Sequence, residues 1–418
     1  MTQLAPTQLM LYMSAQNELA DKAQENIDAI HACVELNGIC TYIMIDTVSD
    51  PAKVQRNNSN TMKYVLPPGV GENKFIATKF PRDDKIVTNP GVFESILDEA
   101  NGHFQDFSQD VDPQQKILIF WGHGGGMVML DEQQQKGVER ARANMKDFAT
   151  ILVNKTKAQN QRPFDIIAFD SCYMCMIETM HELREASPLA LCSSTMVDAD
   201  GFPYEKIIRL LKEEGSALGP HGAAEKMAQI YGKHYLEVFP DGNRFLFVCD
   251  LKKIGSCVTA LNALGTALTS LLSNTDDDDP VRDAIREALI GAGADSSYVY
   301  VLQFLKMLAL TLDGRISHAD LALVKQCSDD LRRSIQDTFK GNMGDSTDIP
   351  VSPLIWVPVH INAFTLNAAN YGLLESSEKG QGGWISFWWT FHRQSNEAVM
   401  VPSGNSTLGL PVTSQLAV

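Results

Sequence analysis

The chain has 418 residues, of which 44% are hydrophobic, and 35 Lys and Arg residues against 51 Asp and Glu residues give a net charge of −16. At about 150 residues per domain this length allows two to three domains, with a core large enough to need no disulfide scaffold. The negative charge argues against a protein that binds nucleic acid by general neutralisation of phosphates.

The first part of the chain follows the pattern of a parallel sheet. An apolar run predicts a strand at 8–13, helical periodicity predicts a helix over 17–36, and a β-branched run predicts a strand at 40–48. Strand, helix and strand in this order form the unit from which parallel sheets are built. Residues 50–90 are rich in Asn, Pro and Gly, and we expect a hairpin or an irregular excursion there, followed by a helix over 90–102.

Three later apolar runs predict strands, and each is followed by polar residues. These runs are 116–121 before His123, 165–169 before Asp170, Ser171 and Cys172, and 189–194 before Asp198 and Asp200. Because sites in open parallel sheets form beyond the carboxyl ends of strands, we expect the three loops to converge on one edge. Helices are predicted near 143–157 and directly after Cys172, through Leu183.

The rest of the chain is predicted to be mainly helical. Helices are expected over 203–213, 222–237 and 251–273, with a strand at 244–249, followed by two or three helices within 281–395 and a strand at 354–361. The run Asp276–Asp279 is interpreted as a solvated loop at a domain boundary. Aspartate is also a calcium ligand, but the sequence gives no further support for a calcium site.

His123 and Cys172 have the settings of a catalytic base and a nucleophile. The three glycines after His123 allow amide N–H groups to approach a substrate carbonyl closely. Cys172 is predicted to lie at a helix N-terminus, which lowers the pKa of a thiol and supplies N–H donors to an oxyanion. The two residues are about 50 positions apart, which is the spacing in the caspase signature.

Other interpretations of these motifs find less support in the sequence. The His-Gly-Gly-Gly segment also occurs in lipases, but the Gly-x-Ser-x-Gly elbow of that fold is missing. Cys172 and Cys175 have the spacing of a redox pair. A zinc site would need a second ligand cluster besides Cys172, Cys175 and His181, and we find none. We therefore predict no metal and no required cofactor.

The sequence resembles the clostripain-like cysteine peptidases, bacterial relatives of caspases, gingipains and legumains. The resemblance rests on Trp121–Gly126, on Ile166–Met174 with Glu178, and on Tyr12–Leu19, and it spans most of residues 8–255, continuing more weakly to residue 395. It implies a caspase-like three-layer α/β/α sandwich with a mostly parallel central sheet over 1–275. A smaller C-terminal α+β subdomain over 276–395 and a loosely ordered tail over 396–418 would follow.

The resemblance also implies roles for individual residues. Cys172 would be the nucleophile, His123 the general base or acid, and the N–H groups of Gly124 and Cys172 the oxyanion hole. The implied substrates are peptides or proteins with Arg or Lys before the cleaved bond. We expect the basic side chain to be held by Asp200 as a buried carboxylate, with Asp198 and Ser171 as further pocket residues. Many relatives carry Asp before the histidine, where this chain has Gly122. We therefore expect no carboxylate at that position to act on His123.

Family members are often activated by cleavage between the two catalytic residues. Residues 132–162 contain seven Lys and Arg residues against three acidic ones and offer basic sites to such an enzyme. The candidates for self-cleavage are Lys136, Arg140, Arg142 and Lys146. A helix with a solvated basic face accounts for the same charges.

Two further expectations concern the class and location of the protein. A catalytically silent caspase-like scaffold that binds protein partners is the alternative to an enzyme, and the intact His123 and Cys172 speak against it. No stretch approaches the roughly 20 apolar residues of a membrane span, and residues 1–17 lack the pattern of a cleaved signal peptide. We expect a cytoplasmic protein, or one exported without a cleaved signal.

Overall fold

The structure of the chain is a computed structural model. It describes residues 7–33, 39–48, 59–66, 76–79, 87–108, 112–132, 141–158, 162–239, 244–272, 279–293, 298–341, 352–357 and 383–393.

The described residues form fourteen strands and eleven α-helices. The strands are β1 (Thr7–Ala15), β2 (Ile39–Val48), β3 (Ser59–Leu66), β4 (Ile76–Lys79), β5 (Lys116–Trp121), β6 (Gly124–Gly125), β7 (Val128–Glu132), β8 (Ala141–Asn144), β9 (Ile166–Asp170), β10 (Leu189–Cys192), β11 (Phe247–Asp250), β12 (Tyr298–Tyr300), β13 (Phe339–Gly341) and β14 (Leu354–Trp356). The helices are α1 (Ala20–Ala32), α2 (Pro90–Ser108), α3 (Met145–Ala158), α4 (Ile177–Glu182), α5 (Tyr204–Glu213), α6 (Gly215–Val238), α7 (Ile254–Leu271), α8 (Pro280–Gly291), α9 (Val301–Leu312), α10 (His318–Thr338) and α11 (Trp384–Arg393).

A nine-stranded sheet forms the centre of the described structure. Its strand order is β13-β11-β10-β9-β5-β1-β2-β3-β4. The five strands from β10 to β2 in this order pair in parallel, whereas β3, β4, β11 and β13 add antiparallel pairs at the two edges. The sheet is therefore mixed: its five central strands are parallel, as the sequence predicted, whereas both edges are antiparallel, and β3 with β4 forms a hairpin within residues 50–90.

Helices cover both faces of the sheet. Alternate residues of β5 divide between two cores, with Leu118 and Phe120 on the face covered by α2, α3, α4 and α7 and Ile117 and Ile119 on the face covered by α1, α5 and α6. Strands β1, β5 and β9 are buried along their whole length, as uninterrupted apolar runs predict. The result is three layers, helices, sheet and helices.

The structure differs from the local predictions at two points. A small antiparallel sheet, β6-β7-β8, follows His123 and was not predicted, whereas the helix predicted near 143–157 is confirmed as α3, which begins at Met145 after β8. Helix α4 begins at Ile177 rather than at Cys172, which lies in a turn. Short strands of this kind form because a partner strand is present, and local sequence carries little trace of them.

The C-terminal part of the chain is built into the same body. Strand β13 pairs with β11 at one edge of the central sheet, and β12 pairs with β14 in a separate two-stranded antiparallel sheet. Asp279 is the N-cap of α8 and accepts a hydrogen bond from the Val281 N–H, whereas Asp276–Asp278 and the tail 396–418 lie outside the described residues. Helix α7 is long and apolar enough to cross a membrane by length and composition, but half of it is buried here, as in a core helix. The domain boundary at residue 275 stays a prediction.

Candidate active site

The predicted convergence of loops is found where β5 and β9 end. These neighbouring strands are parallel, and Trp121 pairs with Asp170. His123 and Cys172 each follow two residues after that pair, so the sheet register brings them to the same edge at the same level. The same register places the glycines after His123 beside the turn that contains Cys172.

The conformation before His123 requires glycine. Gly122 has φ of +138°, and a Cβ at this position would lie 2.9 Å from the carbonyl oxygen of Ser14. An aspartate, as found in many relatives, would be strained here. A carboxylate nevertheless reaches the imidazole, because Glu18 Oε1 lies 3.0 Å from His123 Nε2.

Cys172 lies in a tight turn between β9 and α4. The next residue, Tyr173, has φ of +57°, an uncommon conformation for a side chain of this size. Four residues, 173–176, separate Cys172 from the start of α4 at Ile177. The expectation that a helix N-terminus lowers the pKa of this thiol was therefore wrong for lack of a helix at that point.

The thiol of Cys172 interacts with the backbone of Val197. The Val197 N–H donates to Sγ at 3.3 Å, and Sγ donates to the Val197 carbonyl at 3.6 Å. Burial raises the pKa of Cys172 above 9.0, and the Val197 N–H opposes that shift. Cys172 is thus a neutral thiol at neutral pH in this conformation, and a base must remove its proton before it can attack.

Gly124 lies against the backbone of Cys172. A Cβ on Gly124 would be 2.5 Å from the Cys172 carbonyl oxygen and 2.9 Å from Ser171 Cβ. This close approach holds the two backbone segments, whose N–H groups are the candidate oxyanion donors, next to each other. Ser171 itself is buried, and its Oγ has no hydrogen-bond partner among the described residues.

We expect Gly124→Ala to lower kcat by about 10²-fold, because displacing one oxyanion donor costs about 10²–10³ in rate. The matched control is Gly125→Ala, where the added Cβ would meet only Val128 Cγ2, at 3.8 Å. Peptide hydrolysis and melting temperature are measured for both variants. Equal kcat values for two folded variants would contradict the role given to Gly124.

The two-stranded sheet β12-β14 supports both catalytic segments. The Tyr298 hydroxyl donates to the Gly125 carbonyl at 2.7 Å, next to His123. On the cysteine side, the Leu354 N–H donates to the Cys175 carbonyl at 2.8 Å. Strands β12 and β14 therefore fix the His loop and the Cys loop relative to each other, a function that no local pattern in the sequence indicates.

Asp170 is a buried carboxylate two residues before Cys172. Its Oδ2 accepts hydrogen bonds from the Phe202 N–H at 2.8 Å and the Tyr204 hydroxyl at 2.7 Å. Its Oδ1 has no hydrogen-bond partner among the described residues. Burial raises the pKa of Asp170 to about 7, and the hydrogen bonds from Phe202 and Tyr204 oppose that rise.

Asp200 was expected to be a buried carboxylate, and that expectation was wrong. Its side chain is 58% exposed, and its Oδ1 lies 2.7 Å from Lys22 Nζ on α1. Asp198 shapes the same loop, because its Oδ1 accepts a hydrogen bond from the Asp200 N–H at 3.1 Å. Hydrogen bonding to Asp200 raises the pKa of Lys22, so its ammonium group stays charged at neutral pH.

The candidate self-cleavage residues differ in their surroundings. Lys136 and Arg140 lie outside the described residues, between β7 and β8. Arg142 is part of β8, which pairs with β7, and Lys146 is the second residue of α3. A protease needs an extended, accessible strand, so the ordered helix around Lys146 disfavours cleavage there.

Cys175 does not have the setting of a redox partner. It is fully buried in the core, and burial raises the pKa of its thiol well above 9.0. Reactive redox cysteines have the opposite properties, a lowered pKa and solvent access. Within the described part of the chain, no group of three or more His, Cys, Asp or Glu side chains is arranged to hold a metal ion.

Comparison with known proteins gives consistent matches. A sequence profile of the clostripain family matches residues 83–339, which is more than half of the chain. The structure is similar to that of an inactive zymogen C11 protease from Parabacteroides distasonis, with a TM-score of 0.59 and 14% identity over 90% of this chain and 98% of that one.

A secreted C11 cysteine protease from Bacteroides thetaiotaomicron, solved with an irreversible peptide inhibitor, is also similar, with a TM-score of 0.58 and 15% identity over 89% of this chain and 99% of that one. No curated protein matches the sequence significantly. At these identities the structural likeness establishes the fold, the caspase-like α/β/α sandwich that the sequence implied.

Proposed function

We propose, since the chain belongs to the clostripain family of cysteine proteases, that it is an endopeptidase that attacks peptide bonds with Cys172 and uses His123 as base and acid. The observation that carries this proposal is the pairing of Trp121 with Asp170, which sets the two loops side by side. The preference that we propose is for Arg or Lys before the cleaved bond.

The proposed reaction uses a thioacyl-enzyme intermediate. His123 takes the proton from the thiol of Cys172, and the sulfur forms a bond to the substrate carbonyl carbon while the carbonyl π electrons move to oxygen. The N–H groups of Gly124 and Cys172 stabilise that oxyanion. Its collapse breaks the C–N bond, and His123 returns the proton to the departing amine. Water then hydrolyses the thioester with His123 again as base.

In this structure the thiol of Cys172 and the imidazole of His123 each hydrogen-bond to a different neighbouring residue. The thiol interacts with Val197 and the imidazole with Glu18. Catalytic hydrogen bonds often tighten only when substrate binds, and we propose that the imidazole and the thiol meet in the complex with substrate. Because the Val197 N–H points at Sγ, it also supports the thiolate once His123 has taken the proton.

The preference for basic residues is supported by the carboxylates around the nucleophile. Asp170 is buried beside Cys172 with one oxygen unpaired, and a guanidinium or ammonium group would supply the missing cation. Asp198 and Asp200 lie on the loop that covers it. We propose that Asp170 binds the basic side chain of the substrate, with Asp198 and Asp200 at the rim of the binding site. There the substrate cation would compete with Lys22 for Asp200.

Hydrolysis of short fluorogenic peptides tests the function. The set ends in Arg, Lys, Asp or Leu before the fluorophore, and kcat/KM is compared across it. We expect cleavage of the Arg and Lys members and little of the others. Cleavage of none, together with a Cys172 that iodoacetamide does not modify, would overturn the peptidase proposal, whereas cleavage only after Asp or Leu would overturn the specificity alone.

Self-processing between β7 and β8 is the activation step that we propose, at Lys136 or Arg140. Incubation of the intact chain should yield two fragments that stay associated, because β5 and β9 remain paired in the sheet. Cys172→Ala should stay intact, and Lys136→Gln with Arg140→Gln should block the cut, while Lys146→Gln should not. An intact chain with full activity, or a Cys172→Ala chain that is nicked equally, would contradict this step.

A further inference from the structure

We propose that Glu18 is a positioning residue that fixes the orientation and the tautomer of His123, an inference that rests on the proposed peptidase function. The observation is the hydrogen bond between Glu18 Oε1 and His123 Nε2 at 3.0 Å, which joins residues far apart in the sequence. The side chain of Glu18 is 54% exposed and that of His123 is 35% exposed, so the pair lies at the mouth of the site.

The turn that presents Glu18 is built for this position. Strand β1 pairs in parallel with β5, with Met13 opposite Trp121, so the end of β1 and the end of β5 lie at the same edge. Beyond β1, the buried Asn17 accepts a hydrogen bond from the Leu19 N–H at 2.9 Å through its side chain. Glu18 is the residue between these two, and the turn points it towards His123.

The hydrogen bond decides which ring nitrogen acts as base. A carboxylate only accepts hydrogen bonds, so Nε2 of His123 must carry the proton that it donates to Glu18. In the neutral imidazole this leaves the lone pair on Nδ1, and Nδ1 is the atom that can take the proton of Cys172. When the ring becomes an imidazolium, the carboxylate of Glu18 also offsets part of its charge.

Removal of Glu18 should slow most strongly the reactions in which His123 gives its proton to a leaving group. Hydrolysis of an amide requires protonation of the departing amine, whereas an activated ester releases a phenolate that needs no proton. Removal of Glu18 therefore harms two steps for the amide, thiolate formation and amine protonation, but only the first for the ester. A general collapse of the site would slow both substrates equally.

This role is tested by the kinetics of two variants, Glu18→Ala and Glu18→Gln. Each is measured on an amide and on a nitrophenyl ester that carry the same acyl group. We expect the amide acylation rate of Glu18→Ala to fall by about 10- to 100-fold, the range found for carboxylates that orient a metal-binding histidine, with KM unchanged. The ester should lose several-fold less. Glu18→Gln, whose amide oxygen accepts the same hydrogen bond without the charge, should be intermediate. The control is Asp28→Asn, an exposed carboxylate on α1 that accepts a hydrogen bond from Gln24.

A measurement that needs no activity separates this inference from the proposed function. In a Cys172→Ala background, nitrogen NMR of labelled histidine, with His123 assigned through His123→Ala, should show the tautomer protonated at Nε2. Addition of Glu18→Ala should produce a mixture of tautomers. An unchanged tautomer, an amide rate within twofold of the parent, or equal losses on amide and ester would each overturn the role of Glu18. A parent that hydrolyses neither substrate would overturn the proposed function and leave the NMR result to decide on Glu18.

Discussion

Cys172→Ala is expected to lower kcat/KM for basic peptides by at least about 10⁴-fold, because the variant has no atom that can form the thioester. His123→Ala should cost about 10²- to 10⁴-fold, the usual contribution of a general base and acid. Both rates are measured on the same fluorogenic Arg peptide. The melting temperatures should change little, since both side chains lie at the mouth of the site.

The two variants should differ in their pH dependence. Burial raises the pKa of Cys172 above 9.0, so without His123 the thiolate forms only in alkaline solution. Activity of His123→Ala should therefore rise with pH above about 9, whereas Cys172→Ala should stay inactive throughout. Cys175→Ala is the matched control, a buried cysteine that should retain full activity with some loss of stability. Equal activity of Cys172→Ala and Cys175→Ala would contradict the assignment of the nucleophile.

Asp170→Asn is expected to raise KM for Arg and Lys peptides strongly and to leave the small rate on Leu peptides unchanged. A buried cation left without its partner costs roughly 3–5 kcal/mol, which predicts a loss of about 10²- to nearly 10⁴-fold in kcat/KM. Asparagine can still accept the hydrogen bonds from the Phe202 N–H and the Tyr204 hydroxyl, so the loop should stay in place.

The raised pKa of Asp170 gives this prediction a pH dependence. The pKa of Asp170 is about 7 in the folded protein, against an ordinary value of 3.8. Between pH 3.8 and pH 7 the folded state therefore holds a proton that the unfolded state has lost. The free energy of unfolding should therefore fall as pH rises from about 4 to about 7, and Asp170→Asn should lack this slope. KM for Arg peptides should fall over the same rise in pH, because the cation binds the ionised form.

The control for Asp170 is Asp46→Asn, another buried carboxylate, on β2, hydrogen-bonded to the hydroxyl of Thr61. It should alter stability without altering the ratio of Arg to Leu cleavage. If Asp170→Asn leaves that ratio unchanged while Asp200→Asn or Asp198→Asn reduces it, the specificity residue lies on the rim and the role of Asp170 is confined to holding the loop.

The central sheet was predictable because its strands are strongly patterned. Lys116–Trp121 is an uninterrupted apolar run that ends abruptly at glycine, and such a run is typical of a strand buried on both faces. Once β5 and β9 are neighbours, their polar ends must meet, so the placement of His123 beside Cys172 also follows from the sequence. The strands β6 and β7 escaped prediction, because both are short and form strands only beside a partner.

The parts of the site that escaped prediction depend on contacts between distant segments. Nothing around Glu18 signals that it meets His123, because the contact arises from the pairing of β1 with β5. Asp200 was expected to be buried, but position along a loop does not determine which way a side chain points. Asp170 did carry a signal, since it ends an apolar strand two residues after Ala168 and so faces the same buried side.

The central claim is that Cys172 attacks the carbonyl carbon of a basic residue. The most direct test is to incubate the chain with a peptide chloromethyl ketone that ends in arginine and to locate the adduct by mass spectrometry. The account predicts one adduct, on Cys172, that is absent from Cys172→Ala and slower to form in His123→Ala and Asp170→Asn. An adduct on another cysteine, or equal labelling by a leucine analogue, would contradict it.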